Sequence, residues 1–419
     1  MQKDDLLRLM RDPNLLPSEK QVLLSDIASQ AAAMDLPCYI VGGFVRDLLL
    51  REPVNDLDII VEGDAIRFGE SLVKKFGGKL TLHDKFHTAI WHLPNSSDTL
   101  DLITARKETY ERPGALPTVI PSTIDDDLHR RDFTINSMAI RIDGDHFGEL
   151  LDPLSGQADL EDGLIRVLHP RSFVDDPTRI FRAIRYEARY SFNLEPLTLN
   201  LVNPEALDVI PKLSGERIRH ELDLIFEEKD SSQMILRLGE FGVFKKIHPK
   251  LPLFNADYSD FLEMDPTLDI PASRTVVAYM LWLMDLSESE ILSIGQRLYF
   301  TTDQTYSIWA VSQLKKSLPF LTGSSPSVWT YALEKLPLLS IYVVYLVTRE
   351  DALLDFLSIW RHVKPHTTGD DLKARGLEPG PRFGEILHQI RAAWLDGEVS
   401  NKEEENDFLN SILNGHSSR

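Results

Sequence analysis

Two aspartates, Asp56 and Asp58, stand two positions apart in the segment YIVGGFVRDLLLREPVNDLDIIVEGDA, Tyr39 to Ala65. On a strand, residues two apart face the same side, so both carboxylates would converge on one point. Like charges that close repel unless a cation lies between them, and magnesium is the cation that hard oxygen ligands suit. The reaction matched to such a pair is nucleotidyl transfer: the metal activates an attacking hydroxyl and neutralises a leaving pyrophosphate. Gly42 and Gly43 precede the pair by a short helix. With no side chain to block approach, their backbone N–H groups at the helix start can meet a triphosphate. A bare D-x-D also describes a solvated strand end, and it is the coupling to the Gly-Gly turn that points to phosphate chemistry. By alternation, Asp101 in DTLDLITAR is placed to supply a third carboxylate, with Asp98 as its rival.

Two further segments carry groups of the same character. In DLHRRDFTINSMAI, Asp127 to Ile140, Arg130 and Arg131 can grip phosphate oxygens, Asp132 can accept from a ribose hydroxyl, and Asn136 can hold the turn. An RRD triplet alone would equally describe a salt-bridged helix end. In SFVDDPTRIFRAIRYEARYSF, Ser172 to Phe192, the residues Asp176, Arg179, Arg182 and Arg185 recur near one face of an expected helix. There Asp176 could accept from an exocyclic amino group while Arg179 donates to the adjacent ring nitrogen. Cytosine and adenine present that donor–acceptor order and uracil and guanine do not, so such a pair selects C and A without a template. The plainer reading of the stripe is a solvated or packing face.

The elements expected to hold these groups alternate in type. Helical spacing over Glu19–Met34 leads to a strand over Cys38–Val41, a helix over Phe44–Leu50, a strand over Leu57–Val61 and a helix over Asp64–Phe76. Period-two stretches follow at Lys79–Leu82, Thr88–Leu93 and Thr99–Ile103, and a last strand, Ser137–Ile142, is expected to close a small α/β sheet. From about Gly148 the β signal fades. Helical patterns then dominate at Asp176–Tyr190, Gly215–Phe226, Ser232–Phe241, Val276–Leu283 and Leu338–Thr348, with fraying expected beyond Asn410.

The bulk properties agree with a multi-domain enzyme. The chain has 419 residues, 43% of them hydrophobic, which implies two to four structural units. No leader-like segment and no unbroken apolar run of membrane-spanning length occurs, so the expected compartment is the cytosol and no membrane partner is expected. A single cysteine, Cys38, excludes an intrachain disulfide and a cysteine metal cluster. The net charge of −20 argues against a general nucleic-acid coat. Gly163 to Arg219, however, holds nine Lys or Arg against seven Asp or Glu, and an RNA phosphate track or a solvated helix face fits that segment.

Five motifs, GGFVRD with DLD, RRDFTINSMAI, LLDPLSGQADLEDGLIRVLHP, DDPTRIFRAIRYEARYSF and GERIRHEL, occur in the order and spacing of the class II tRNA nucleotidyltransferases and bacterial poly(A) polymerases. From Tyr39 to Leu222 the chain resembles that family. The resemblance implies an α/β nucleotidyltransferase head, residues 1–147, followed by an all-α neck at 148–222, body at 223–365 and tRNA-binding tail at 366–419 in an elongated arrangement. It implies that Asp56 and Asp58 hold Mg2+, that Gly42, Gly43, Arg46 and Asp47 form a triphosphate-facing turn, and that Arg130, Arg131 and Asp132 form the ribose and phosphate motif. Asp176 and Arg179 match the base-selecting pair of E-D-x-x-R, with Asp175 in the Glu position. Asp152–Asp159 resembles the hinge motif, Glu216 and Arg217 resemble the motif that braces the neck, and Glu111–Thr123 lies where the family has a flexible loop. The implied activity is addition of C and A from CTP and ATP to tRNA 3′ ends. CC-only, A-only and poly(A) enzymes share these motifs, and a non-catalytic RNA-binding module would retain the fold.

Overall fold

In the computed structural model, residues 1–54, 57–83, 86–109, 111–115, 117–253, 268–271 and 273–415 are described. Asp56 therefore lies outside the described residues. The chain divides into two compact units, Met1–Ile247 and His248–Arg419.

The first unit begins with helices α1 (Lys3–Met10) and α2 (Ser18–Ala33), then alternates β1 (Cys38–Val41), α3 (Gly43–Leu50), β2 (Asp58–Val61) and α4 (Ala65–Phe76). The Asp64 side chain caps α4 by accepting from the N–H groups of Ile66 and Arg67 at 3.0 and 3.1 Å. Strands β3 (Lys79–His83), β4 (Thr88–His92) and β5 (Thr99–Thr104) come next. They are followed by a hairpin of β6 (Arg106–Thr109) and β7 (Thr118–Pro121), helix α5 (Ile124–His129), and strands β8 (Ala139–Arg141) and β9 (Glu149–Leu151). Seven strands form one mixed sheet in the order β3-β4-β5-β2-β1-β8-β9. β2 and β5 pair in parallel, and their register sets Asp58 beside Asp101. A core of Tyr39, Val41, Ile60, Ala105, Ile124, Leu128 and Ala139 joins the sheet to α5.

Helices then take over: α6 (Gly156–Asp162), α7 (Ser172–Asp175), α8 (Thr178–Arg189), α9 (Pro196–Asn200), α10 (Pro204–Leu207), α11 (Gly215–Phe226), α12 (Ser231–Glu240) and α13 (Val243–Ile247). The second unit is also helical. Its longest helices are Thr302–Leu321 and Pro381–Leu395, and capping boxes at Ser287/Glu290 and Thr301/Gln304 start two of its helices. Among the described residues no helix is long and apolar enough to cross a membrane.

Four sequence expectations need correction. The sheet does not close at residues 137–142, because β9 adds an edge strand beyond β8; three residues are too short to show a period. The β6–β7 hairpin was not expected, since neither the charged β6 (Arg-Lys-Glu-Thr) nor the short β7 (Thr-Val-Ile-Pro) carries an apolar alternation. The helix expected over Asp176–Tyr190 is broken: Asp176 is extended, at φ −140° and ψ 96°, between α7 and α8. Pro177 explains the break, since the residue before a proline is pushed out of the α region. The last helix, Lys402–Gly415, runs past Asn410, so the fraying expected there is not seen up to Gly415; residues 416–419 lie outside the described residues.

Candidate functional site

The β1–α3 turn is built around one unusual residue. Gly42 sits at φ +65°, and a Cβ there would lie 2.7 Å from Nη1 of Arg131. The turn thus depends on glycine for both backbone angle and space. Its consequence is that α3 starts with its N–H groups beside the arginine.

Arg131 belongs to a dense polar group set by α5. Asp127, fully buried, accepts from Arg130 Nε at 2.9 Å through one oxygen and from Arg131 Nη2 at 2.9 Å through the other. Arg130 also donates to Glu108 on the β6–β7 hairpin at 2.9 Å. Asp132 is buried and accepts from the Phe133 N–H and the Asn136 side chain through Oδ1, while Oδ2 pairs with Arg182 at 2.9 Å. Burial pushes the Asp132 carboxyl up, but the Arg182 guanidinium and the two N–H donors outweigh it and hold the group below its usual value. Arg46 donates to Asn136 at 2.6 Å and to Asp47 at 2.8 Å, and it lies over the rings of Tyr186 and Tyr190 at 5.3 and 4.8 Å. These contacts fix it against α8.

The extended Asp176 caps α8 through Oδ1, which accepts from the Thr178 N–H at 3.1 Å and hydroxyl at 2.7 Å and from Arg217 at 2.7 Å. Arg217 also donates to the Gly114 carbonyl at 2.9 Å, and the Gly114 N–H donates to Asp175 at 3.0 Å. So α11 ties the hairpin loop to the Asp175–Asp176 corner. Arg179 is buried and donates to the Ser172 hydroxyl at 2.7 Å and the Arg130 carbonyl at 3.1 Å.

A cavity of about 540 Å³ collects these groups. Gly42, Gly43, Arg46, Asp58, Arg130, Arg131, Asp132, Asn136, Asp176, Arg179, Arg182 and Arg185 all line it. Seven arginines and four carboxylates face it, a surplus that draws in an anionic ligand within an acidic chain. Four of those arginines, from Arg179 to Arg189, come from the Gly163–Arg219 segment that stood out for its charge. Asp47 and Asp101 are set apart from this cavity. Asp47 lines a neighbouring hollow and accepts from Tyr190 at 3.2 Å, and Asp101 lines, together with Asp98, a second cavity that Asp58 also borders. Register thus distinguishes the two rivals, since Asp101 is paired with Asp58 while Asp98 precedes β5.

Sequence reading missed Asp127, Glu108 and Glu221. Asp127 stands three and four residues before the arginines, the helical ion-pair spacing, and that spacing could have found it. Glu108 carries no such signal, because the hairpin alone brings it in. Glu221 on α11 is buried, its carboxyl pushed up to about 7 by desolvation against the pull of Arg182 and Arg185.

Residues 38–166 match the poly A polymerase head domain family, and residues 191–254 match a family described as the probable RNA and SrmB-binding site of polymerase A. The A-adding tRNA nucleotidyltransferase of Geobacter sulfurreducens is 34% identical over 93% of this chain, which spans 47% of that relative's length. The solved Thermotoga maritima CCA-adding enzyme complexed with tRNA superposes with a TM-score of 0.78 at 30% identity, over 97% of this chain and 98% of the other. The A-adding tRNA nucleotidyltransferase of Halalkalibacterium halodurans is 32% identical over 98% of this chain and 96% of its own length. With motifs, fold and full-length identity in agreement, this chain belongs to the family of tRNA nucleotidyltransferases and bacterial poly(A) polymerases.

Proposed function

We propose that the protein adds C and A nucleotides from CTP and ATP to the 3′ end of tRNA without a nucleic-acid template. The observation that carries this reading is the single cavity faced at once by a Gly-Gly helix start, a strand carboxylate, a cluster of arginines and the Asp176–Arg179 pair. The triphosphate lies along Gly42, Gly43 and the arginines, where N–H groups and guanidinium ions match its charge. Asp132 keeps a lone pair for the ribose hydroxyl even while it holds Arg182. With Oδ1 of Asp176 engaged by Thr178 and Arg217, its second oxygen is left to accept from the amino group of C or A, and Arg179 donates to the ring nitrogen. The 3′ oxygen of the RNA attacks the α-phosphorus, the bond to the bridging oxygen of pyrophosphate breaks, and pyrophosphate leaves.

Asp58 and Asp101, side by side on parallel strands, supply hard oxygen donors of the kind a divalent ion takes, and Asp56 belongs to the same set by sequence. Magnesium bound there would lower the pKa of the attacking hydroxyl and neutralise charge on the leaving group. A narrower reading, addition of A alone, is favoured by the names of two relatives that are 34% and 32% identical over 93% and 98% of this chain, above the 28% and 26% of a CC-adding and a CCA-adding relative of similar coverage.

Both readings are separated by one experiment: tRNA transcripts ending before CCA, after C and after CC, each given one labelled NTP at a time. Full activity gives C on the first two and A on the third, while an A-only enzyme labels the CC-ending transcript alone. Incorporation on none of them overturns the proposal.

A further inference from the structure

In the second unit, the helices Glu288–Leu298 and Thr302–Leu321 border a cavity of about 610 Å³, a volume within the range of small-ligand pockets. Glu288, Leu292, Gly295 and Tyr299 line it at helical spacing, along one face of the first helix and the turn that ends it. Thr302, Tyr306 and Trp309 do the same along one face of the second. The two helices come close at Gly295, where an added Cβ would lie 3.0 Å from the Thr305 hydroxyl oxygen. Continued outward, that register sets Glu288 and Leu292 toward Trp309.

The wall is aromatic and its rings are fixed. Tyr306 and Trp309 stack with centroids 5.5 Å apart at 28°, and the Tyr306 hydroxyl donates to the Lys335 carbonyl at 3.3 Å. Phe300, which also lines the cavity, packs edge-on against Tyr279 at 4.8 Å. Tyr299 ends its helix at φ +57°, a left-handed angle that glycine usually takes, and it is 58% exposed. That conformation costs energy in a bulky residue, and burial does not offset the cost here. Leu292 and Tyr306 are exposed as well, at 46% and 43%.

Among the described residues that line the cavity, Glu288 carries a charge and no Lys or Arg is present. Arg297 lies close in sequence, but helical spacing turns it to the side opposite Glu288. A phosphate finds no counter-ion there, so a nucleic-acid backbone is repelled. Electron-rich ring faces beside a carboxylate attract a cation, and the apolar wall favours one that carries alkyl groups. The indole N–H of Trp309 is buried without an acceptor among the described residues. We infer that this cavity binds a small organic cation, an alkylated ammonium that also bears a hydroxyl. The ammonium lies against Tyr299, Tyr306 and Trp309 with its charge toward Glu288, and the hydroxyl oxygen accepts from the Trp309 indole. The site lies wholly within the second unit and does not rest on the function proposed above.

The test uses the full-length protein, with tryptophan fluorescence titrated by choline and by its neutral isostere, in which carbon replaces the ammonium nitrogen, at constant ionic strength. Choline should give a saturable response and bind at least about tenfold more tightly than the isostere, since the two differ in charge and not in shape. Tyr306→Leu keeps the wall apolar but removes a ring face, and should weaken choline about tenfold while changing isostere binding by less than about twofold. Glu288→Gln, on an exposed residue, should weaken choline about threefold. Circular dichroism confirms that both variants are folded. Equal binding of choline and the isostere would reduce the cavity to an apolar hollow and overturn the inference. So would choline binding that neither variant alters, or no saturable response to choline. A response to single-stranded oligoadenylate that Tyr306→Leu removes, without one to choline, would give the cavity to a nucleobase and overturn it too.

Discussion

At the scale of single residues, the site depends on buried charges whose partners lie on other elements. Glu221 shows the consequence most directly. Its carboxyl is pushed up from the ordinary 4.5 to about 7 by burial, which outweighs the opposing pull of Arg182 and Arg185. A carboxyl raised in the folded state binds a proton that the unfolded chain has already lost. Stability is therefore full below about 4.5 and falls as pH rises toward about 7, by at most about 3 kcal/mol for such a shift. Glu221→Gln should remove that dependence, so its Tm will gain on the wild type's between pH 5 and pH 8; parallel Tm curves would show that Glu221 carries no such penalty. Asp58 is different, being half-exposed at a strand start with no core role. Asp58→Ala should abolish incorporation of labelled nucleotide while thermal unfolding stays within about 0.5 kcal/mol of wild type.

At the scale of elements, two junctions matter: the β1–α3 turn and the tie from α11 to the hairpin loop. A side chain at Gly42 would meet Arg131 and force a left-handed backbone angle on a residue that rarely adopts it. Gly42→Ala should cost about 1–3 kcal/mol, a fall of roughly 2–10 °C in Tm, and weaken ATP binding more than the stability loss accounts for. Arg217 joins Asp176 to the Gly114 carbonyl, so it acts on base choice by holding Asp176 in place. Arg217→Ala should reduce discrimination for CTP and ATP over UTP and GTP by about tenfold, the worth of one buried polar contact. Measurement of kcat/KM for all four NTPs checks this; a variant of lower stability but unchanged preference would reduce Arg217 to a structural brace.

At the scale of the whole molecule, the division at Ile247 sets how the protein should unfold. Two compact units with separate cores need not melt as one. Trp91 is in the first unit and the other five tryptophans are in the second, so indole fluorescence follows mainly the second unit while circular dichroism follows both. Urea unfolding watched by the two signals should give non-coincident curves. ATP at a hundred times its Kd should stabilise the first unit by about 2.7 kcal/mol and leave the fluorescence midpoint nearly unmoved. A single coincident transition that ATP shifts as a whole would show that the units unfold together.

Much of this was legible in the residues themselves. Strand Cys38–Val41 and helices Gly215–Phe226 and Leu338–Thr348 fall where apolar spacing put them, because each buries a continuous apolar face and local pattern encodes burial. Gly42, Gly43, Asp58, Arg130, Arg131, Asp132, Asn136, Asp176, Arg179, Arg182 and Arg185 share a cavity, and their chemistry was visible in short motifs with fixed spacing. What the tertiary structure alone decided are the contacts that span long separations. The Asp58–Asp101 register, the Arg130–Glu108 pair and the Arg217 bridge from Gly114 to Asp176 join elements far apart in sequence, and no local period announces which strand or helix will be the neighbour. The extended Asp176 lies between these cases: Pro177 foretells a break in the helix, but only packing against α11 turns the break into a held carboxylate.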